Sequence, residues 1–189
     1  MGEYKRRPAG GLLHSQRSLG CAAALDGRYL PFHGGRNMGM TDTPERWERK
    51  CGAYRRLCSI ASSCGITLAQ ENVAWCRSRD PVFLAALYRD VPELRYTLDI
   101  KQAYRAGRNW KEFVDTVGDR IVNVHINDFS AEQSCLVPGA GCMDYADFFS
   151  ALRRVGYDGH ALIEVYRSNF ASEGELARAV KLLSRFAAV

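Results

Sequence analysis

Short apolar runs alternate along the chain with longer segments in which apolar and polar residues mix. Five runs have the length of strands, and each is followed by enough residues for a helix or a long loop. The runs are Arg28 to His33, Ile66 to Gln70, Tyr96 to Leu98, Ile121 to Val124 and Ala161 to Ile163. Strands that alternate with helices pair in parallel through right-handed crossovers. The pattern therefore predicts an α/β fold with about five parallel strands.

Helix start signals support this division of the chain. Thr43 precedes Pro44, and Asp80 precedes Pro81. Thr and Asp cap the first turn of a helix, and proline is favoured at its first position. The first of these helices is predicted to end before Gly65. Further predictions are helices from His14 to Leu25, from Asn109 to Val117, from Asp144 to Gly156 and after Ser172, and a loop from Asp128 to Met143.

Length and composition predict one globular domain over residues 1–189. The chain has 189 residues, of which 47% are hydrophobic, an ordinary share for a protein with a core. A complete eight-unit barrel typically needs about 250 residues. The net charge of +5 is spread along the chain and would favour an anionic substrate. Nucleic acid is not favoured, because no basic run is interleaved with aromatic residues.

The cysteine pattern and the absence of long apolar stretches predict a cytoplasmic location. The seven cysteines include no Cys-x-x-Cys pair, a pattern that favours free thiols in a reducing environment over a disulfide framework. No stretch approaches the length of a transmembrane helix, and the N-terminus lacks the apolar core of a signal peptide. We therefore expect a soluble, cytoplasmic protein without membrane partners.

Four side chains that favour metal ions lie at or just after the ends of the last four apolar runs. They are Glu71, Asp99, His125 and Glu164. Successive members lie roughly 30 residues apart, the length of one strand-helix-strand unit. Parallel strands would bring them to the face where α/β barrels carry their chemistry. Three oxygen ligands and one nitrogen suit Mn²⁺, Mg²⁺, Co²⁺ or Zn²⁺.

Several segments together resemble the sugar phosphate isomerase/epimerase group, which belongs to the xylose isomerase-like TIM barrels. The segments are Leu68 to Asn72, Thr97 to Gln102, Val124 to Asp128, Pro138 to Asp144 and Gly156 to Glu164. The resemblance runs from about His14 to the C-terminus. It implies a partial (β/α) TIM-type barrel whose strands correspond to strands four to eight, with no counterpart of the first three units.

The resemblance also implies an activity, a divalent-metal-dependent isomerase or epimerase that acts on a sugar or sugar phosphate. Glu71 and Glu164 would exchange the substrate proton, while the metal would stabilise the enediolate. In many relatives the sixth-strand motif reads Asp-x-x-His, whereas this chain has Gln102, which can bond to a sugar hydroxyl.

Other residues are candidates for roles around this site. His33 and Arg167 are candidate substrate contacts, Arg167 because barrels often place phosphate-binding groups there, and Lys101 is a further candidate of that kind. Trp75 could stack on a sugar ring. Asp128 could orient the imidazole of His125, or it could cap the loop that follows.

Two alternative functions remain open. One is an endonuclease IV-like metal phosphodiesterase, although that class needs additional histidines and the chain has only four. The other is a non-catalytic remnant of a barrel that keeps the ligands without a closed pocket. A partial barrel would also leave two strand edges unpaired, so a homo-oligomer is expected.

Overall fold

The computed structural model describes residues 21, 22, 24, 26–35 and 42–187. The predicted helix from His14 to Leu25 lies mostly outside the described residues. Within the described part, no helix is both long and apolar enough to cross a membrane. All seven cysteines belong to this part and are free thiols, and the cytoplasmic location stays a prediction.

Five parallel strands form one curled sheet, a half-barrel, in which spatial order follows chain order. The strands are β1 (Tyr29–Phe32), β2 (Thr67–Glu71), β3 (Arg95–Asp99), β4 (Ile121–Ile126) and β5 (Ala161–Ile163). Each strand pairs in parallel with the next. The prediction of a partial α/β barrel with about five parallel strands is confirmed.

Six helices, besides short 3-10 turns, follow from β1 onwards in the described residues. They are α1 (Pro44–Ser63), α2 (Pro81–Asp90), α3 (Ile100–Arg105), α4 (Trp110–Val117), α5 (Tyr145–Arg154) and α6 (Glu173–Ala187). The start signals act as predicted, because Thr43 Oγ1 accepts from the N–H of Arg46 and Asp80 Oδ1 accepts from that of Val82. Each cap satisfies an N–H that has no partner inside the helix.

Helix α3 was not predicted from the sequence. It begins directly after β3, and the Asp99 carboxylate caps it by accepting from the N–H of Gln102 at 2.9 Å. The segment is too short to show a helical period in the sequence. Its consequence is that Lys101 and Gln102 lie on a helical turn beside the strand ends.

The core lies between the sheet and its helices. Apolar side chains of the central strands, such as Leu98 and Val124, are almost wholly buried and belong to one cluster with Phe113 and Phe148 of the helices. The outer strands differ, because β1 and β5 each pair with only one neighbour among the described residues. In β5, Leu162 is 57% exposed. The fold therefore has a well-packed centre and two open strand edges in its described part.

Candidate metal centre

The sheet brings the four predicted ligands to its carboxyl edge. Glu71 and Asp99 end β2 and β3, and the register places Asp99 beside His125 of β4. Glu164 follows β5, and its N–H donates to the carbonyl of Ile126 at 3.0 Å, which extends the pairing by one residue. Four side chains from four neighbouring strands thus reach the same layer.

The ligand atoms converge around His125. One ligand atom from each of Glu71, Asp99, His125 and Glu164 lies within 4.8 Å of all the others. His125 Nδ1 is 3.0 Å from Glu164 Oε2, 3.6 Å from Asp99 Oδ2 and 3.8 Å from Glu71 Oε1. The structure therefore brings together all four side chains that the sequence selected.

Three of these atoms lack the hydrogen bonds that buried polar atoms normally have. Asp99 Oδ2, His125 Nδ1 and Glu164 Oε2 are buried and have no hydrogen-bond partner, although they approach one another as ion pairs. A cation among them would satisfy all three at once. Three carboxylates and one imidazole are also a normal donor set for a divalent ion, so the residues present fit such a metal.

The electrostatics of the cluster point the same way. Burial raises the pKa of Asp99 to about 6, against the opposing attraction of His125. Burial alone would lower the pKa of His125, but the carboxylates of Asp99, Glu164 and Glu71 outweigh it and raise that pKa to about 11. The ion-pair contact with His125 holds the pKa of Glu164 far below its usual value. The carboxylates thus stabilise a positive charge at this point, which the protonated imidazole supplies here.

Two asparagines that sequence reasoning missed hold the ligands in place. Asn72 donates through Nδ2 to the carbonyl of Asp99 at 2.8 Å and accepts from its N–H at 2.7 Å. Asn123 Nδ2 lies 3.0 Å from His125 Nε2, and Nδ1 is the ring nitrogen that faces the carboxylates. Asn123 could have been found, because residues two apart on a strand share a face. For Asn72, the only sequence signal was its position directly after Glu71.

Lys101 has a more central place than its sequence suggested. Its ammonium group lies 3.1 Å from Glu164 Oε2 and 3.7 Å from Asp99 Oδ2. The side chain is only 2% exposed. The attraction of Asp99 and Glu164 outweighs the effect of burial, and the pKa of Lys101 is raised. The charged ammonium group of Lys101 is therefore part of this site.

The candidate substrate contacts fall into two groups. His33 Nε2 lies 3.3 Å from Glu71 Oε2 and its ring packs edge-on against Trp75, so both rings border the metal centre. Gln102 Oε1 accepts from the N–H of Ala74 at 3.1 Å, which leaves its amide N–H₂ as the free donor. Arg167 is exposed and donates to the carbonyl of Phe170 at 2.7 Å, so its contacts are local.

Asp128 has the contacts of a loop cap. Its carboxylate accepts from the N–H groups of Phe129, Gly139 and Met143, each at 2.9 Å. His125 is not among its partners. Gly139 adopts a left-handed backbone with φ of 93°, and a Cβ at Gly141 would collide with Asp128 and Phe129. The glycines of this segment are thus required by the way the loop wraps around one carboxylate.

A family model places the chain among known proteins. The model described as xylose isomerase-like TIM barrel matches residues 7–186. The chain therefore belongs to the xylose isomerase-like TIM barrel family, as its motifs indicated. None of the curated proteins compared with it matches the chain.

Solved structures show the same fold. A D-tagatose 3-epimerase-like protein is 22% identical with a TM-score of 0.73, over 98% of this chain and 74% of that one. The IOLI protein with a bound zinc atom is 17% identical with a TM-score of 0.79, over 99% and 72%. D-psicose 3-epimerase, solved in the presence of D-fructose, is 17% identical with a TM-score of 0.75, over 100% and 74%. Identities this low establish the shared fold, and the coverage agrees with a partial barrel.

Proposed function

We propose that the protein is a divalent-metal-dependent isomerase or epimerase that acts on a sugar or sugar phosphate by proton transfer. The observation that carries the proposal is the convergence of Glu71, Asp99, His125 and Glu164 within 4.8 Å, with three buried atoms that lack partners. The solved relatives named as epimerases and the zinc bound to the IOLI protein support it.

The metal ion would be Mn²⁺, Mg²⁺, Co²⁺ or Zn²⁺, held by the four side chains. When bound, such an ion polarises a substrate carbonyl and stabilises the negative charge that develops as a neighbouring C–H proton leaves. The remaining steps belong to the chain's own residues.

Glu71 and Glu164 are the proposed acid-base pair. They belong to β2 and to the end of β5, and so flank the other two ligands from either side. One carboxylate can remove the proton from one face of the substrate carbon, and the other can return a proton to the opposite face, which inverts the centre. Glu71 is nearly buried beside His33, whereas the Glu164 side chain is 41% exposed. Environments this different separate the two roles, as acid-base pairs require.

The walls of the site fit a polyhydroxylated substrate. The free amide N–H₂ of Gln102 can donate to a hydroxyl, and His33 can donate or accept beside Glu71. Trp75 is 39% exposed and offers an apolar ring face for the C–H side of a sugar. Arg167, once released from Phe170, is the proposed contact for a phosphate group.

The phosphodiesterase alternative finds no support in the described residues. His33 and His125 are the two histidines near the carboxylates, while His160 precedes β5 and so lies at the opposite end of the sheet. A multinuclear site would need more histidines at the carboxyl edge.

Isotope exchange tests the proposed reaction. Ketoses and their phosphates are incubated with the metal-loaded protein in D₂O, and the product is analysed by NMR. Proton transfer predicts deuterium at the carbon next to the carbonyl. Glu71→Gln and Glu164→Gln should each lower kcat at least about 100-fold, whereas Glu132→Gln, on the exposed loop, should not. A product that forms without solvent deuterium would rule out proton transfer, and metal binding without turnover on any ketose would favour the non-catalytic alternative.

A further inference from the structure

Lys101 is a buried cation in contact with the candidate metal centre. Its Nζ lies 3.1 Å from Glu164 Oε2 and 3.7 Å from Asp99 Oδ2, and 5.2 Å from the centre of the Tyr166 ring. Burying an ammonium group is costly unless its partners compensate. An apolar side chain would fill the same space without that cost, so packing alone does not explain a lysine here.

The formal charges of the site explain it better. Glu71, Asp99 and Glu164 carry three negative charges when they act as ligands, and a metal-bound imidazole is neutral. A divalent ion leaves one negative charge in a largely buried site. The Lys101 ammonium cancels this charge, so the loaded site is neutral with a divalent ion and would carry an excess positive charge with a trivalent one.

Glu164 is the ligand that most needs support. Asp99 is fixed by the N–H of Gln102 and by both ends of the Asn72 amide. Glu164 follows a three-residue edge strand, and its side chain is 41% exposed. Among the described residues, the cationic groups that pair with its carboxylate are His125, if protonated, and Lys101. Removal of the ammonium would leave the imidazole as its one ion-pair partner in the described part of the chain.

We propose that Lys101 is the positioning residue of the metal centre, which fixes the Glu164 carboxylate and matches the charge of the site to a divalent ion. The inference rests on the proposed metal site but not on the proposed reaction. Its consequence is a selectivity: the protein with Lys101 should discriminate against trivalent ions, and the protein without that charge should not.

The ratio of two metal affinities measures this selectivity. Mn²⁺ binding is followed by calorimetry, and Tb³⁺ binding by its luminescence, on the wild type and on Lys101→Met. We expect the Tb³⁺ to Mn²⁺ affinity ratio to rise at least about tenfold in the variant, because one additional unit charge near an ammonium in a protein interior is worth at least a decade of affinity. Loss of positioning would weaken the binding of both ions, so the ratio of the two affinities reports the effect of the Lys101 charge.

Two control variants complete the design. Lys101→Arg keeps the charge and should keep the wild-type ratio. Lys111→Met removes a lysine of α4 whose ammonium pairs with Asp147 at 2.6 Å, and it should leave the ratio unchanged. Circular dichroism checks that each variant folds, and Lys101→Gln takes the place of Lys101→Met if the latter does not.

The outcomes are distinct. An unchanged ratio in a folded Lys101→Met or Lys101→Gln variant overturns the proposal, as does the failure of both to fold, which would show a purely structural role. A shifted ratio in a protein without turnover supports the role of Lys101 while the proposed reaction fails. Turnover with an unchanged ratio supports the proposed reaction while the role of Lys101 fails. A wild type that binds neither ion overturns both the proposed metal site and the role of Lys101.

Discussion

At the scale of single residues, the site is defined by buried polar atoms that have ion-pair contacts but no hydrogen-bond partners. Asp99 Oδ2, His125 Nδ1 and Glu164 Oε2 share this state. Leaving a buried polar atom unsatisfied costs about 1–3 kcal/mol, and the three lie together rather than scattered through the core. This concentration of unfavourable desolvation is typical of sites that serve a ligand rather than stability.

Substitution of the ligands tests the metal centre directly. His125→Ala and Asp99→Ala should each lower the affinity for Mn²⁺ at least about 100-fold, since even residues that only support ligands contribute about 10–100-fold. His160→Ala is the matched control, because His160 lies before β5 at the other end of the sheet. This variant should bind Mn²⁺ with the affinity of the wild type. Calorimetry gives the affinities, and undiminished binding in both ligand variants would refute the assignment.

At the scale of elements, one carboxylate organises the whole loop between β4 and α5. Asp128 reaches three N–H groups spread over Phe129 to Met143, and it also pairs through its main chain with Leu136. The loop therefore has a fixed shape although it contains no helix and no strand longer than a bridge. This shape requires glycine at 139, where φ is 93°, and at 141, where a Cβ would collide with Asp128.

Asp128→Asn separates the loop role from a role at His125. In either orientation the amide presents one N–H₂ to a backbone N–H, so we expect a loss of about 2–4 kcal/mol in the free energy of unfolding. Asp144→Asn is the control, because Asn caps a helix as well as Asp, and it should cost less than about 1 kcal/mol. Urea unfolding measures both. If Asp128→Asn instead left stability unchanged and weakened metal binding, Asp128 would be a partner of His125.

The carboxylate of Asp90, the last residue of α2, makes stability depend on pH. Asp90 accepts from Arg89 and from Trp47 Nε1, the latter at 2.7 Å, and these hydrogen bonds lower its pKa to about 2. A lowered pKa in the folded state stabilises the fold above the unfolded value of 3.8, and this contribution is lost as the pH falls towards 2.

Comparison with Asp90→Asn isolates this effect. The amide can still accept from Trp47 but does not titrate in this range. Between pH 5 and pH 2 the wild type should lose about 1 kcal/mol more stability than the variant, a value reduced because Asp90 is partly exposed to solvent. Urea unfolding at the two pH values checks it, and equal losses in both proteins would contradict the assignment.

At the scale of the whole molecule, the sheet has two open edges in its described part. β1 and β5 each lack a second neighbour there, and an exposed apolar residue, Leu162, lies on β5. Unpaired edges recruit other strands unless charges, bulges or loops cover them. In the described part, these two edges are therefore candidate surfaces for association with other chains.

We expect the purified polypeptide of 189 residues to associate into dimers or larger species, or to be poorly soluble, with weak turnover. Light scattering measures the mass. Leu162→Lys adds a charge to the β5 edge and should reduce association, whereas Val82→Lys, on the exposed start of α2, should not. A stable monomer of the wild type with full epimerase turnover would contradict the expectation.

Much of the site was accessible from the sequence because its signals are local. The apolar runs, the caps at Thr43 and Asp80, and polar residues at strand ends each depend on neighbours within a few positions. Parallel pairing then places all strand ends on one edge, whatever the details of packing. The sequence by itself therefore determined the order of the elements and selected the four side chains that converge as candidate metal ligands.

Tertiary structure alone decided what each side chain touches. Lys101 faces the ligands because α3 begins immediately after Asp99, and Asn72 binds Asp99 because the register of β2 and β3 brings together residues 27 positions apart. Asp128 turned towards its loop, where three N–H groups surround it, and not towards His125. Such contacts depend on strand register and on the direction of each Cα–Cβ bond, and these are set by the packing of the whole sheet rather than by any local pattern.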